Sequence, residues 1–138
     1  MSQKRYRTEA TLSDHGRTRR SLPSAVGKAK EDEACRFLEG LGYQVVERNF
    51  RTRAGEIDVV ARLGEILVFV EVRYRRQGSM VGAAESVTRG KIRRIRSAIK
   101  TYLAVRRIPD ATPVRIDLCV MREEPESCEV LAGAIECS

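Results

Sequence analysis

The chain has 138 residues, with 26 Lys or Arg against 19 Asp or Glu for a formal net charge of +7, four cysteines and one histidine. That length suits one domain with a core of its own, and an apolar share of 42% is ordinary for a globular protein. The lone histidine, His15, lies in a polar stretch, and Cys35, Cys119, Cys128 and Cys137 show no Cys-x-x-Cys spacing, which argues against a zinc site and against Ser-His-Asp or Cys-His catalysis.

The positive excess sits at the start. Met1 to Lys30 carries eight Lys or Arg and two acids, while the remainder balances eighteen bases against seventeen acids. Residues 1–25 therefore read as a basic N-terminal arm, disordered in isolation, and residues 26–138 as a single domain. No apolar stretch follows the basic start, so a secretory signal is not expected. The longest strictly apolar run, Ile66 to Val70, is too short to cross a bilayer, so no membrane partner is expected and a reduced, cytoplasmic setting is.

From about Val26 to Leu41, Ala34, Phe37, Leu38 and Leu41 recur at helical spacing, and Gly42 is placed to end the helix. Glu31 lies one turn before Ala34 and borders the same inward stripe. Tyr43 to Asn49 reads as a strand. Gly55 to Arg62 and Ile66 to Arg73 read as a hairpin closed by Leu63-Gly64-Glu65-Ile66, with Gly in the first central position of a type II′ turn. Pairing Leu63 with Ile66 sets Val60 opposite Phe69 and Asp58 opposite Glu71. The second strand of the hairpin is apolar on both faces, which marks it as central and buried, and a charge on such a strand must be paired or bound to metal. Two opposed carboxylates destabilise a sheet unless something offsets them, and a divalent cation would.

Tyr74 to Glu85 reads as a mobile basic loop with Arg75 and Arg76 at its start. Thr88 to Arg107 reads as a second helix packed through Ile92, Ile95, Ile99 and Leu103, with Lys91, Arg93, Arg94, Arg96 and Lys100 around the rest and no acid from Ser86 through Pro109. Unmixed charge of this kind favours a phosphate-contacting face over a solvated one. Pro113 to Met121 reads as a strand in which Val114, Ile116, Leu118 and Val120 alternate against Arg115, Asp117 and Cys119. A short strand around Val130 to Ile135 follows. The order is helix, three strands, helix, two strands, an α/β chain with a mixed sheet flanked by helices.

Gly27 with Glu31 and Ala34, Glu47-Arg48-Asn49-Phe50-Arg51, Gly55-Glu56-Ile57-Asp58, Phe69-Val70-Glu71-Val72-Arg73, Lys91 and Arg115-Ile116-Asp117 together resemble the YraN-like family of uncharacterised bacterial proteins. That family is placed in the restriction-endonuclease-like, or PD-(D/E)XK, nuclease superfamily. The resemblance implies a restriction-endonuclease-like core and a Mg²⁺ or Mn²⁺ site in which Asp58 and Glu71 hold the cation, Glu31 assists and the Val72 carbonyl adds an oxygen. It also implies nucleic acid, structured DNA in particular, as the partner. The family pattern ends its central strand in Glu-x-Lys, whereas this chain has Glu71-Val72-Arg73. Arg73 keeps the charge that could stabilise a phosphate but cannot release a proton, so Lys91 becomes a candidate stand-in or phosphate contact. Three readings stay open beside the nuclease: a catalytically inactive nucleic-acid-binding module of the same fold, a double-stranded-RNA-binding module, and a protein adaptor. Asp58 and Glu71 could also serve a purely structural ion-pair network closed by Arg73, Arg62 or Arg75. A homodimer is left open.

Overall fold

Six strands and two helices follow one another as β1 (Arg5–Thr8), α1 (Pro23–Gly40), β2 (Gln44–Arg51), β3 (Glu56–Leu63), β4 (Ile66–Arg75), α2 (Arg89–Val105), β5 (Val114–Glu123) and β6 (Glu126–Ile135). This is a computed structural model, and it describes residues 5–8, 23–75, 87–123 and 126–137. The strands form one sheet in the order β1-β6-β5-β4-β3-β2. Only the β4 and β5 pairing is parallel among the described strands, because α2 carries the chain back between them; the other neighbours are antiparallel. The result is a mixed sheet with two helices, and β4 is central as its two apolar faces require.

The hairpin register is the one the turn dictates. Leu63 faces Ile66, Arg62 faces Leu67 and Val60 faces Phe69, and Gly64 takes the positive φ of 62° at the first central position. Alternation along β4 then sends neighbouring side chains into two separate cores. Leu67 and Phe69 pack with Ile95, Ala98, Ile99 and Tyr102 of α2. Val68 and Val70 pack with Ala34, Cys35 and Leu38 of α1. The two helices therefore cover opposite faces of the sheet.

Two expectations are amended. Within the arm, Arg5–Thr8 is a strand that pairs with β6, Arg5 lying opposite Leu131 and Thr8 opposite Cys128; the rest of residues 1–22 lies outside the described residues, as does most of the basic loop, Arg76 included. Asp117, on the polar side of its strand's alternation, does not face water, and Cys119 is a core residue two positions on. Both are 0% exposed, since β5 is sandwiched between β4 and β6 and covered on each side.

Burying Asp117 demands full compensation, and it has it. The carboxylate accepts hydrogen bonds from Arg115 Nε and Nη2 at 2.8 Å each, from the Tyr43 hydroxyl at 2.6 Å and from the Gly133 amide at 2.9 Å. Burial and this bond to Asp117 push the Tyr43 hydroxyl well above its usual range. The network ties the chain just after α1 to β5 and β6. Removing one partner of a buried ion pair strands the other, so Asp117→Ala should cost about 3–5 kcal/mol. A denaturant midpoint no different from wild type would show that the network carries no stability.

Candidate functional site

The acid pair forms where the sheet departs from regular alternation. Glu47 of β2 reaches Arg106 just beyond α2, and three residues on the Phe50 ring meets Tyr102 of α2, edge to face at 5.0 Å between centroids. Residues three apart cannot share a face of a regular strand. Asn49, lying between them in the left-handed region at φ 55°, absorbs the step. On the neighbouring strand Ile57 and Val60 both join the α2-side core, so β3 makes a matching step around Asp58, which lies between Ile57 opposite Phe50 and Val59 opposite Arg48; the register itself shifts earlier in β2, between Val45 and Glu47.

Freed from alternation, Asp58 turns toward β4. Its Oδ2 accepts the Val72 amide at 2.8 Å, and the ladder between β3 and β4 ends one residue earlier, at Val59 opposite Val70. Glu71, 4% exposed, projects on the α2 side beside Ile57, Phe69 and Ile95. The Asp58 and Glu71 carboxyls hydrogen-bond to each other. Burial, that bond and the negative charge of Glu71 push Asp58 up to about 7 from its ordinary 3.8, against the Val72 amide and the charge of Lys91, which pull it down. A half-buried and a buried carboxyl this close disfavour each other's ionisation unless a cation is near.

Lys91 supplies one cation. Its Nζ stands 3.3 Å from Glu71 Oε2, carried there by the first turn of α2, which Thr88 caps by accepting the Lys91 amide at 3.1 Å. Gly55 makes the approach of the helix to the sheet possible. A Cβ on Gly55 would stand 2.5 Å from the Arg94 carbonyl oxygen and 2.9 Å from both the Arg94 carbonyl carbon and Cβ, so only glycine lets the start of β3 lie against α2 at this point.

The other expected site residues are distributed as follows. Arg73 is half-buried two positions after Glu71 and is engaged by a partner. Val72 meets the pair through its amide. Glu31 lies on α1, across the sheet from Glu71, with its Oε2 buried and lacking a hydrogen-bond partner. Among the described residues no three acidic, cysteine or histidine side chains gather into a possible metal group; the expected triad is not assembled, because the α1 face and the Glu71 face are opposite ones. Arg93, Arg94 and Lys100 are exposed on α2, whereas Arg96 donates its Nε to the Glu136 carbonyl at 2.8 Å and so anchors the C-terminal segment. Arg75 is half-buried at the end of β4.

Arg51, named above only within the resemblance, and Arg53 are site residues that the sequence reading missed, although their place just before Gly55 is a signal. With Thr52, Lys91, Arg94 and Ile95 they line a cleft of about 330 Å³ beside the acid pair. Chemically, two carboxylates in contact at a site reached by several cations can hold a hard divalent ion, since Mg²⁺ takes one or two carboxylates and completes its shell with water and phosphate. Among the described residues no helix is long and apolar enough to cross a membrane.

These elements define an α/β protein with a buried acid pair, a lysine on that pair and a cation-lined cleft. The chain belongs to the uncharacterised protein family UPF0102, whose model matches residues 30–121, a span that holds the acid pair, Lys91 and the cleft. It is similar to UPF0102 proteins of Lachnoclostridium phytofermentans, 48% identical over 98 residues covering 71% of this chain and 83% of the relative, and of Thermotoga neapolitana, 40% identical over 106 residues covering 77% and 94%. A UPF0102 protein of Dechloromonas aromatica is 54% identical over 80 residues, 58% of this chain and 67% of the relative. The YraN-like resemblance is thus borne out at the level of the family.

Two outcomes are expected. Native Asp58 keeps its proton to about pH 7 while the unfolded chain loses it near 3.8, so between those values the native state binds more protons and this group's stabilisation is lost as pH rises. In chelator-treated protein, Asp58→Asn, which keeps an acceptor for the Val72 amide, should flatten the fall in denaturant midpoint across that window; parallel slopes would refute the shared-proton pair. Gly55→Ala should cost about 1–3 kcal/mol through overpacking against α2, and an unchanged midpoint would mean that the helix can shift freely.

Proposed function

We propose that this protein is a metal-dependent phosphodiesterase with a restriction-endonuclease-like core, acting on nucleic acid, structured DNA above all. The observation that carries the reading is the pairing of a half-buried Asp58 with a buried Glu71, next to a cleft lined by Arg51, Arg53, Lys91 and Arg94. A structural ion-pair network would not need its acids to touch. Anionic ligands, by contrast, gain from a cation field at the mouth of an acid site.

Asp58 and Glu71 would hold Mg²⁺ or Mn²⁺, which supplies Lewis-acid polarisation of a phosphodiester and a more acidic water. The amide of Val72 fixes the Asp58 carboxyl in place, so the pair is oriented before any ligand arrives. Lys91 neutralises part of the charge on Glu71, and its three N–H donors would also serve a phosphate oxygen placed beside the pair. Arg73 adds fixed positive charge from the same strand. The exposed arginines of α2 extend the field along one side of the molecule, and binding should weaken steeply with salt.

A second reading, a nucleic-acid-binding module without turnover, gains from the same Lys91 and Glu71 contact, because that ion pair already satisfies the buried glutamate. A cleavage panel separates the two. Linear, flapped and four-way DNA are incubated with Mn²⁺ and wild type, Arg73→Lys or Glu71→Gln. Cleavage should fall by roughly a hundredfold or more in Glu71→Gln and rise in Arg73→Lys. DNA binding without cleavage by any of the three would leave the binding module; cleavage by Glu71→Gln at the wild-type rate would remove Glu71 from the chemistry.

A further inference from the structure

The cleft beside the acid pair has a definite construction. Its outer wall is the turn joining β2 to β3, which Thr52 ties into a closed loop: the Thr52 hydroxyl accepts the Ala54 and Gly55 amides at 3.1 and 3.0 Å and donates to the Gly55 carbonyl at 2.8 Å, where the Thr52 amide also binds at 2.8 Å. That turn holds Arg51 and Arg53 in position while spending its own amides internally. The inner wall is α2. Arg94 folds back along it toward Gly90, its Nη1 lying 3.8 Å from the place a Cβ would take, an ordinary contact distance.

Charge in the cleft is strongly one-sided. Arg51, Arg53, Lys91 and Arg94 face one acid, Glu56, and Glu56 is already paired with Arg51 at 3.5 Å. Ile95 adds apolar surface at the inner wall, and none of the lining residues is aromatic. Guanidinium forks match phosphate oxygens two at a time, whereas a base would look for a stacking platform that is not there. Size narrows the ligand further. About 330 Å³ is at the lower end of small-molecule pockets, enough for a phosphate with its sugar and far too little for a duplex. Lys91 belongs to both places, lining the cleft and resting on Glu71.

We infer that this cleft is a subsite for one backbone phosphate of a single polynucleotide strand, next to the phosphate offered to Asp58 and Glu71, and that it recognises backbone without reading bases. The inference rests on the phosphodiesterase reading for the neighbouring phosphate and goes beyond it by assigning Arg53 and Arg94 as the residues that grip the strand. A duplex would engage it through one strand lying in the cleft. Sequence preference should then be weak at that step, and a second phosphate should matter more than the identity of the base.

Calorimetry with thymidine 3′,5′-bisphosphate tests this on the full chain. Titrations in chelator use wild type, the double variant Arg53→Gln with Arg94→Gln, Asp58→Asn, and Arg36→Gln as an equally exposed arginine on α1. Wild type and Arg36→Gln should bind the bisphosphate, and the double variant should lose roughly tenfold or more in affinity. The adenosine 2′-deoxy analogue should bind like the thymidine compound. Equal binding by the double variant, or an equal loss in Arg36→Gln, would overturn the subsite. Titration of Mg²⁺ alone keeps the two claims apart: a Mg²⁺ heat lost only in Asp58→Asn with an indifferent double variant would sink the subsite and leave the acid site standing. A bisphosphate loss in the double variant with no Mg²⁺ heat in wild type would do the reverse.

Discussion

The site depends on a departure from alternation shared by β2 and β3. β2 and β3 step out of alternation together at Asn49 and Asp58, and the left-handed Asn49 makes the step possible at small cost, since Asn tolerates that region better than most residues. Had alternation continued, Ile57 would face α1 and the ladder to β4 would run on past Val59. Instead Ile57 joins the α2-side core, the ladder stops, and the amide that comes free on Val72 is taken by the Asp58 carboxylate. The same hydrogen bond that ends the sheet locally thus aims the acid.

The second constraint is the distance between helix and sheet. Gly55 lets the backbone of α2 approach the start of β3 closely enough that a side chain there would collide with Arg94. Lys91, one turn earlier, is thereby brought to Glu71. Like charges in a buried contact have three remedies: a shared proton, a neighbouring cation or a bound metal ion. The first two are present here, in the raised Asp58 and in Lys91.

Farther out, polar contacts hold the two faces in register with the site. The Asp117 network joins Tyr43, Arg115 and Gly133 on the α1 side. Arg106 grips Glu47 with both ends of its fork, at 3.0 and 2.6 Å, and lies over Phe50 and Tyr102, which clamps the far end of α2 to β2. These contacts fix the tilt of the helix along its length. The close approach at Gly55 is then a consequence of the whole packing and not of one contact.

Much was legible in the chain itself. Period-two apolar patterns and a Gly in the first turn position determined the hairpin and its register, because side chains alternate and a two-residue turn admits one pairing; the stripes of α1 and α2 followed from helical spacing for the same geometric reason. Tertiary structure alone decided the rest. That Asp117 is buried depends on β5 lying between β4 and β6, a neighbour relation absent from local pattern. That Glu31 stays apart from Glu71 depends on α1 and α2 taking opposite faces, and that Lys91 meets Glu71 while Arg51 and Arg53 meet Arg94 depends on backbone contact between segments some forty residues apart. Local sequence sets which way a side chain can point, and only the packed fold sets what it finds there.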